Sequence, residues 1–516
     1  MAHGFDAWLL SLVVFLPALG MAIVMLIPRT DEPLIKLTGL VTTFASFVLS
    51  LVVVARFDYD KTGALQFQVS KHWIDVISSR YHVGVDGISL PMLVLSTFIT
   101  VLCVIYSWNH WPEPHNPKAF LALLLLLETG MNGTFVAQDL ILFFIFFEIV
   151  LLPMFFMIGV WGGPNREYAS IKFFLFTLFG SALMLLSFLA IFFKSTAPGG
   201  GHTFDMVLLS HAGTIDVTRG VANLIFAGLF LGFAIKVPMF PFHTWLPDAH
   251  TEAPTVGSVL LAAILLKLGT YGFIRIALPI LPMAAKTWAP WIGLLAVIGI
   301  IYGALGCLAQ TDMKRLIAFS SVAHMGFVML GISTLTSFGI NAAIFGMVAH
   351  GLITGMLFFI AGTVQHSYHT REMSRLGGLL LQAPKLGWIL AFCAMASLGL
   401  PGLAGFWGEF PAILSAFNPA HPLHETTFRA FMAVAAIGTV LAAGYLLWML
   451  QKVAFGTPKP EFEHAHIHDV TVFEWISWTP ILLLIVVLGV YPNLLFRVTD
   501  GAVTQLTNSI GRVIGG

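Results

Sequence analysis

Apolar runs of about 20 residues, each closed by a short polar or Pro/Gly-rich stretch, recur along the whole 516-residue chain. A helix of that length spans ~30 Å, the thickness of bilayer hydrocarbon. The pattern predicts membrane-spanning helices near residues 7–27, 34–55, 86–107, 118–137, 140–160, 169–193, 221–243, 255–278, 289–309, 314–332, 338–365, 386–415, 429–453 and 473–495. The alternating apolar/polar segments of a membrane barrel are missing. The expected fold class is therefore an all-α polytopic membrane protein of about fourteen transmembrane helices. Two runs carry breakers at membrane depth: Pro238 and Pro241 in one, and Gly399, Pro401, Gly402 and Gly405 in the other. Proline removes a backbone donor and clashes with the preceding turn, so both helices are expected to be broken.

Composition agrees with the pattern. Hydrophobic residues make up 58% of the chain and charged residues 10%, against about 25% charged in soluble domains. Net charge is zero, which leaves no basic surface for nucleic acid. Cys103, Cys307 and Cys393 stand alone in apolar runs. Without paired Cys/His spacing an iron–sulfur cluster or structural zinc is not expected. Glycine-rich phosphate loops after a strand are also missing, so no cofactor is expected in this chain. The "HAHIH" run at 464–468 lies among Glu461, Glu463 and Asp469 and reads as a solvated loop rather than a metal tract.

Only Asp6, and no Lys or Arg, precedes the first run, so a cleaved signal peptide is not expected. Arg166, Lys172, Lys314, Arg315, Arg371, Arg375 and Lys385 fall in loops on one side, which predicts that side as cytoplasmic. An even helix count then places both termini outside. The longer 56–80 stretch, with Arg56, Lys61, Lys71 and Arg80, reads as an outer loop of little weight in that rule.

Four charges sit where charge is expensive, at about 2.5–3.5 kcal/mol each near a helix centre. Glu148 lies nine residues beyond Asp139, ~14 Å along a helix. Lys267 lies thirteen residues past Pro254, ~20 Å. Lys236 and Glu409 accompany the two broken runs. A single buried ion is commonly a structural pair; two Lys and two Glu at similar depth, beside broken helices, point to an ion path. His243, His324 and His350 lie in the same runs and, as groups that titrate near neutrality, are candidate relays. Glu128 is a further buried carboxylate, structural or secondary.

The spacing suggests an internal repeat. Ala137 to Ala309, Glu148 to His324 and Lys236 to Glu409 are separated by 172, 176 and 173 positions. Four regions are expected: helices 1–3 over 1–117, a five-helix unit over 118–278, a second over 289–453, and a C-terminal loop with the last helix over 454–516. Five helices are an odd number, so the second unit would be inverted relative to the first.

Three segments, "IKVPMFPFHTWLPDAHTEAPTVGSVLLAAILLKLGTYGFIR", "DMKRLIAFSSVAHMG" and "GLPGLAGFWGEF", resemble the antiporter-like subunits of respiratory complex I, the NADH:quinone oxidoreductase. The likeness covers nearly the whole chain. Glu409 matches the M-type subunits of that family, the counterparts of mitochondrial chain 4; the L and N types usually carry Lys there. The resemblance implies fourteen helices with two inverted five-helix repeats and a proton path through Glu148 paired with Lys236, then Lys267, then Glu409, with His243, His324 and His350 as links. It also implies neighbouring antiporter-like subunits and membrane lipid as partners, NADH and quinone held by other subunits, and a bacterial inner membrane. A sodium/proton antiporter or membrane-bound hydrogenase subunit of the same family is the alternative, and a non-conducting anchor is disfavoured by the buried charges.

Overall fold

The computed structural model describes residues 4–198, 200–211, 213–463 and 467–515; the first three residues of the "HAHIH" run lie outside them. Among the described residues, thirteen helices are long and apolar enough to cross a membrane. In chain order the principal helices are α1 (Asp6–Leu26), α2 (Glu32–Arg56), α3 (Ser89–Ser107), α4 (Pro117–Val136), α5 (Leu140–Trp161), α6 (Arg166–Lys194), α7 (Arg219–Lys236), α8 (Trp245–Glu252), α9 (Thr255–Ile280), α10 (Pro282–Leu308), α11 (Met313–Ser333) and α12 (Ser337–Tyr368). They continue as α13 (Pro384–Ser397), α14 (Ala404–Ser415), α15 (Glu425–Val453), α16 (Val472–Val490) and α17 (Asn493–Ile514). The predicted run at 386–415 is the broken pair α13–α14, which together make the fourteenth crossing.

Helices α9, α11 and α12 are enclosed almost completely and form the centre. Helices α1, α2, α6, α15 and α16 lie outside them and expose broad apolar faces, as a hydrocarbon solvent permits.

Both breaks follow from local chemistry. Helix α7 stops at Lys236, and the Met239 amide bonds back to Ala234 O (2.8 Å). Ile235 O, left without its helical donor, accepts from Trp245 Nε1 at 2.9 Å. The α13–α14 break turns on Gly399 and Gly402, at φ +80° and +93°, where a side chain would be strained. The breaks are not equivalent in register: Lys236 closes the first half-helix, whereas Glu409 sits inside the second. The near-constant spacing read from the sequence therefore does not superpose the two breaks.

Two elements differ from the expected outline. The stretch read as an outer loop contains an antiparallel hairpin, β1 (Gln66–Ile74) and β2 (Ser79–Val85), with Lys71 opposite Tyr81. The segment after the last expected helix, to which no element was assigned, forms α17, which buries Leu495, Val498, Ala502, Val503, Ile510 and Ile514 on one face. The hairpin, α17 and the start of α1 share one face of the molecule, here the hairpin face. Asp139 holds this face together: it caps α5 through the Ile141 and Leu142 amides and accepts from Ser79 Oγ and Arg80 N at 2.9 and 3.0 Å. His82 Nδ1 reaches Asp205 Oδ2 at 2.8 Å. Burial raises the Asp205 carboxyl, but the His82 ring and the Leu208 and Val207 amides more than reverse this and hold it below its usual range.

Candidate functional site

Lys267 is fully buried on α9, between two π-helical segments at Leu261–Leu265 and Phe273–Ala277. Such segments leave helix carbonyls out of their usual register. Lys267 Nζ donates to Ala262 O at 2.6 Å, within the first of them. It also meets His350 Nδ1 of α12 at 2.7 Å. The other ring nitrogen of His350 is buried without a partner. Its ring centroid lies 6.1 Å from that of His324 on α11.

His324 Nδ1 is in direct contact with Glu409 Oε1, pairing α11 with the second half of the broken helix. Ser397 Oγ and Tyr445 OH approach its Nε2 at 3.1 and 3.0 Å. A cavity of ≈ 20 Å³ is lined by His324, His350, Thr354, Ser397 and Glu409, enough for about one water. One water there would close the gap between the two imidazoles and join Lys267, His350, His324 and Glu409 into a single row.

The other half of the predicted set is more open. Lys236 Nζ is buried without a hydrogen-bond partner and lies over the Phe147 ring at 4.7 Å. Glu148, the next residue, is half-buried and close enough for its charge to act on Lys236, with Ser181 as its hydroxyl neighbour. The two do not form a contact ion pair. Two residues past Glu148 the α5 hydrogen-bond ladder is interrupted at Val150, because Pro153 supplies no amide to Ile149 O.

His243 is not brought to the lysines. Its ring packs among Phe240, Tyr302 and Phe319, with Nδ1 unpartnered. A histidine that the sequence reading missed, His250 on α8, lies within reach of the Lys267 charge. It is fully buried, stacks on Phe358 at 4.3 Å, and has both ring nitrogens unpartnered. The charges of Lys314 and Lys267 both reach it. The signal was present in "HTWLPDAH", where His243 and His250 are seven residues apart; the proline between them, Pro247, and those before them hid which one faced the centre. Lys314 Nζ donates to Ala253 O at 3.0 Å and lines a cavity of ≈ 320 Å³ with Glu252, His366 and Arg371, on the face opposite the hairpin. Glu128 lies apart, on α4, fully buried with neither oxygen hydrogen-bonded; Ser46 and Asn132 are its nearest polar neighbours.

Towards the hairpin face, Arg275 clasps Asp86 through two nitrogens, at 2.8 and 2.5 Å, and donates to Tyr271 OH at 3.1 Å. Burial pushes the Asp86 carboxyl up, yet the Arg275 charge and the Ser89 and Ile88 amides hold it below the usual range. A cavity of ≈ 400 Å³ opens beside this pair.

A helical membrane protein with two broken helices and a buried Lys–His–His–Glu row belongs to the class of ion-translocating membrane subunits. The family described as "NADH:quinone oxidoreductase/Mrp antiporter, TM" matches residues 137–437, and that of the "NADH-ubiquinone oxidoreductase chain 4, amino terminus" matches 12–134. The chain belongs to this NADH:quinone oxidoreductase/Mrp antiporter family. It is 40% identical to NADH-quinone oxidoreductase subunit M of Rhodobacter capsulatus over 98% of each chain. It is 38% identical to NADH-ubiquinone oxidoreductase chain 4 of Arabidopsis thaliana over 96% of each. A chain of respiratory complex I from Thermus thermophilus superposes with a TM-score of 0.85 at 29% identity, covering 98% of this chain and 100% of that one. A chain of the Mrp complex from Dietzia shares the fold, with a TM-score of 0.84 at 20% identity and full coverage of both chains.

Proposed function

We propose that the chain is the antiporter-like, proton-translocating membrane subunit of a bacterial NADH:quinone oxidoreductase, equivalent to subunit M. The observation that carries this is the row Lys267–His350–His324–Glu409 across α9, α12, α11 and α14, in contact at both ends and with the two imidazoles 6.1 Å apart at its middle. Glu148 acts as the charge that sets whether Lys236 keeps its proton, since a nearby carboxylate favours the ammonium and desolvation opposes it. When that influence weakens, the proton moves inward to Lys267 through His250. Lys267 passes it along the histidines to Glu409, which releases it. The redox chemistry, NADH and quinone belong to other subunits, and this chain carries no cofactor. Neighbouring antiporter-like subunits and lipid enclose it in the inner membrane, with the hairpin face periplasmic; the basic residues of the opposite face support that orientation.

Glu148 and Lys236 are expected to act as a unit. Glu148→Gln and Lys236→Ala should each abolish most proton pumping in vesicles, and the double variant should be little worse than either, a strong departure from additivity. Normal pumping by Glu148→Gln would contradict the switch.

A further inference from the structure

A deep apolar groove of ≈ 590 Å³ runs down the flank of the molecule between α2, α3, α12, α16 and the start of α17. Its walls include Phe47, Leu51, Leu95, Val348, Pro480 and Leu488, and one charged side chain, Arg497, stands at its rim. The depth is informative. Pro480 lies ten residues before Val490 at the hairpin-face end of α16, ~15 Å along the helix. Phe47 lies nine residues before Arg56 at the same end of α2, ~14 Å. The groove therefore reaches through about half of a ~30 Å hydrocarbon layer, one leaflet, with a cation where that leaflet's headgroups lie.

Arg497 is exposed and rests over the Tyr59 ring, 5.3 Å from its centroid. The acid one turn away, Asp500, is not within ion-pair distance of it and accepts instead from Asn341 Nδ2 at 3.0 Å. An unneutralised guanidinium above a leaflet-deep apolar slot suits a molecule with an anionic head and a long hydrocarbon tail.

We infer that this groove binds one anionic phospholipid of the hairpin-face leaflet, its phosphate on Arg497 and an acyl chain along α2, α3 and α16. The tail then ends on Val348 and Leu352 of α12. These flank His350 in sequence but share a helix face turned away from it, so the chain packs behind the helix that presents His350 to Lys267. The lipid braces the central histidine from the rear.

The test uses the assembled membrane complex containing this chain, in nanodiscs of phosphatidylcholine doped with phosphatidylglycerol bearing a photoreactive group near the end of one acyl chain. Cross-links should map to α2, α3, α12 and α16. Arg497→Gln should lower them about fivefold, the effect of one interfacial cation on anionic lipid, and Arg497→Lys should keep most of them. Val94→Trp, which fills the groove from α3, should lower them with subunit content unchanged; should that variant fail to assemble, the Gln and Lys variants at Arg497 decide. Equal labelling by photoreactive phosphatidylcholine, labelling indifferent to Arg497→Gln, or a neighbouring subunit's helix cross-linked in the groove would each overturn the inference.

Discussion

A lysine in a low-dielectric site can be neutral or charged with only small changes around it, and the surroundings of Lys267 serve both states. Ala262 O accepts from the ammonium, and His350 can take the proton it releases. Arginine would satisfy the same acceptors but cannot release a proton in this range. Lys267→Arg should therefore assemble and lose pumping by about tenfold or more, the usual scale for removing a proton-transfer group; full pumping would assign Lys267 an electrostatic role only. Asp86 is a different kind of buried charge. Asp86→Asn leaves the part-buried Arg275 without its counter-ion, which costs up to about 3–5 kcal/mol, and should appear as a fall in thermal stability or loss of assembly. Because its carboxyl lies below the unfolded range, Asp86 contributes stability above the ordinary carboxylate pKa, and that contribution disappears as acid protonates it. Thermal unfolding in detergent should show acid destabilisation in the wild type, and a stability unaffected by acid in that range would argue against the pair.

At the scale of elements, the geometry depends on how closely α12 and α14 approach. A Cβ built on Gly408 would stand 2.5 Å from the Gly346 Cα, backbone against backbone, so one helix must move. Gly408 precedes Glu409, and the displaced helix would carry the carboxylate away from His324. Gly408→Ala should assemble but pump poorly, while Gly444→Ala, with open space around it, should behave as wild type; equal pumping by both would show that the close approach is not needed. What the sequence revealed divides along similar lines. The spanning helices were legible because hydrocarbon imposes a long apolar run, and both breaks were legible because Pro238, Pro241, Gly399 and Gly402 cannot continue a helix there. The hairpin was hidden because "QFQVSKHWI" has polar residues on one side of an irregular strand, with its two-residue period interrupted by register shifts. Helix α17 was hidden because its apolar residues recur every three to four positions without forming a continuous run. Glu148, Lys236, Lys267 and Glu409 stood out as charges in hydrocarbon. The contacts among them did not, since which histidine faces the centre depends on helix rotation after a proline break: His250 lies near Lys267 and His243 packs among aromatic rings.

On the proposed function, the whole molecule is a conduit whose redox chemistry lies in other subunits. The purified chain in detergent should show no visible absorption band, and a stoichiometric haem, flavin or cluster would refute that part of the proposal. The most direct test of the conduit is at its end, where Glu409 meets His324. Glu409→Gln keeps shape and hydrogen bonding but cannot ionise; Glu409→Asp keeps the carboxylate with a shorter reach. Proton uptake by inverted vesicles, normalised to subunit content, should fall strongly in the Gln variant and be partly kept in the Asp variant. Full proton uptake by the Gln variant, or the reverse order of the two, would remove Glu409 from the pathway and contradict the central claim.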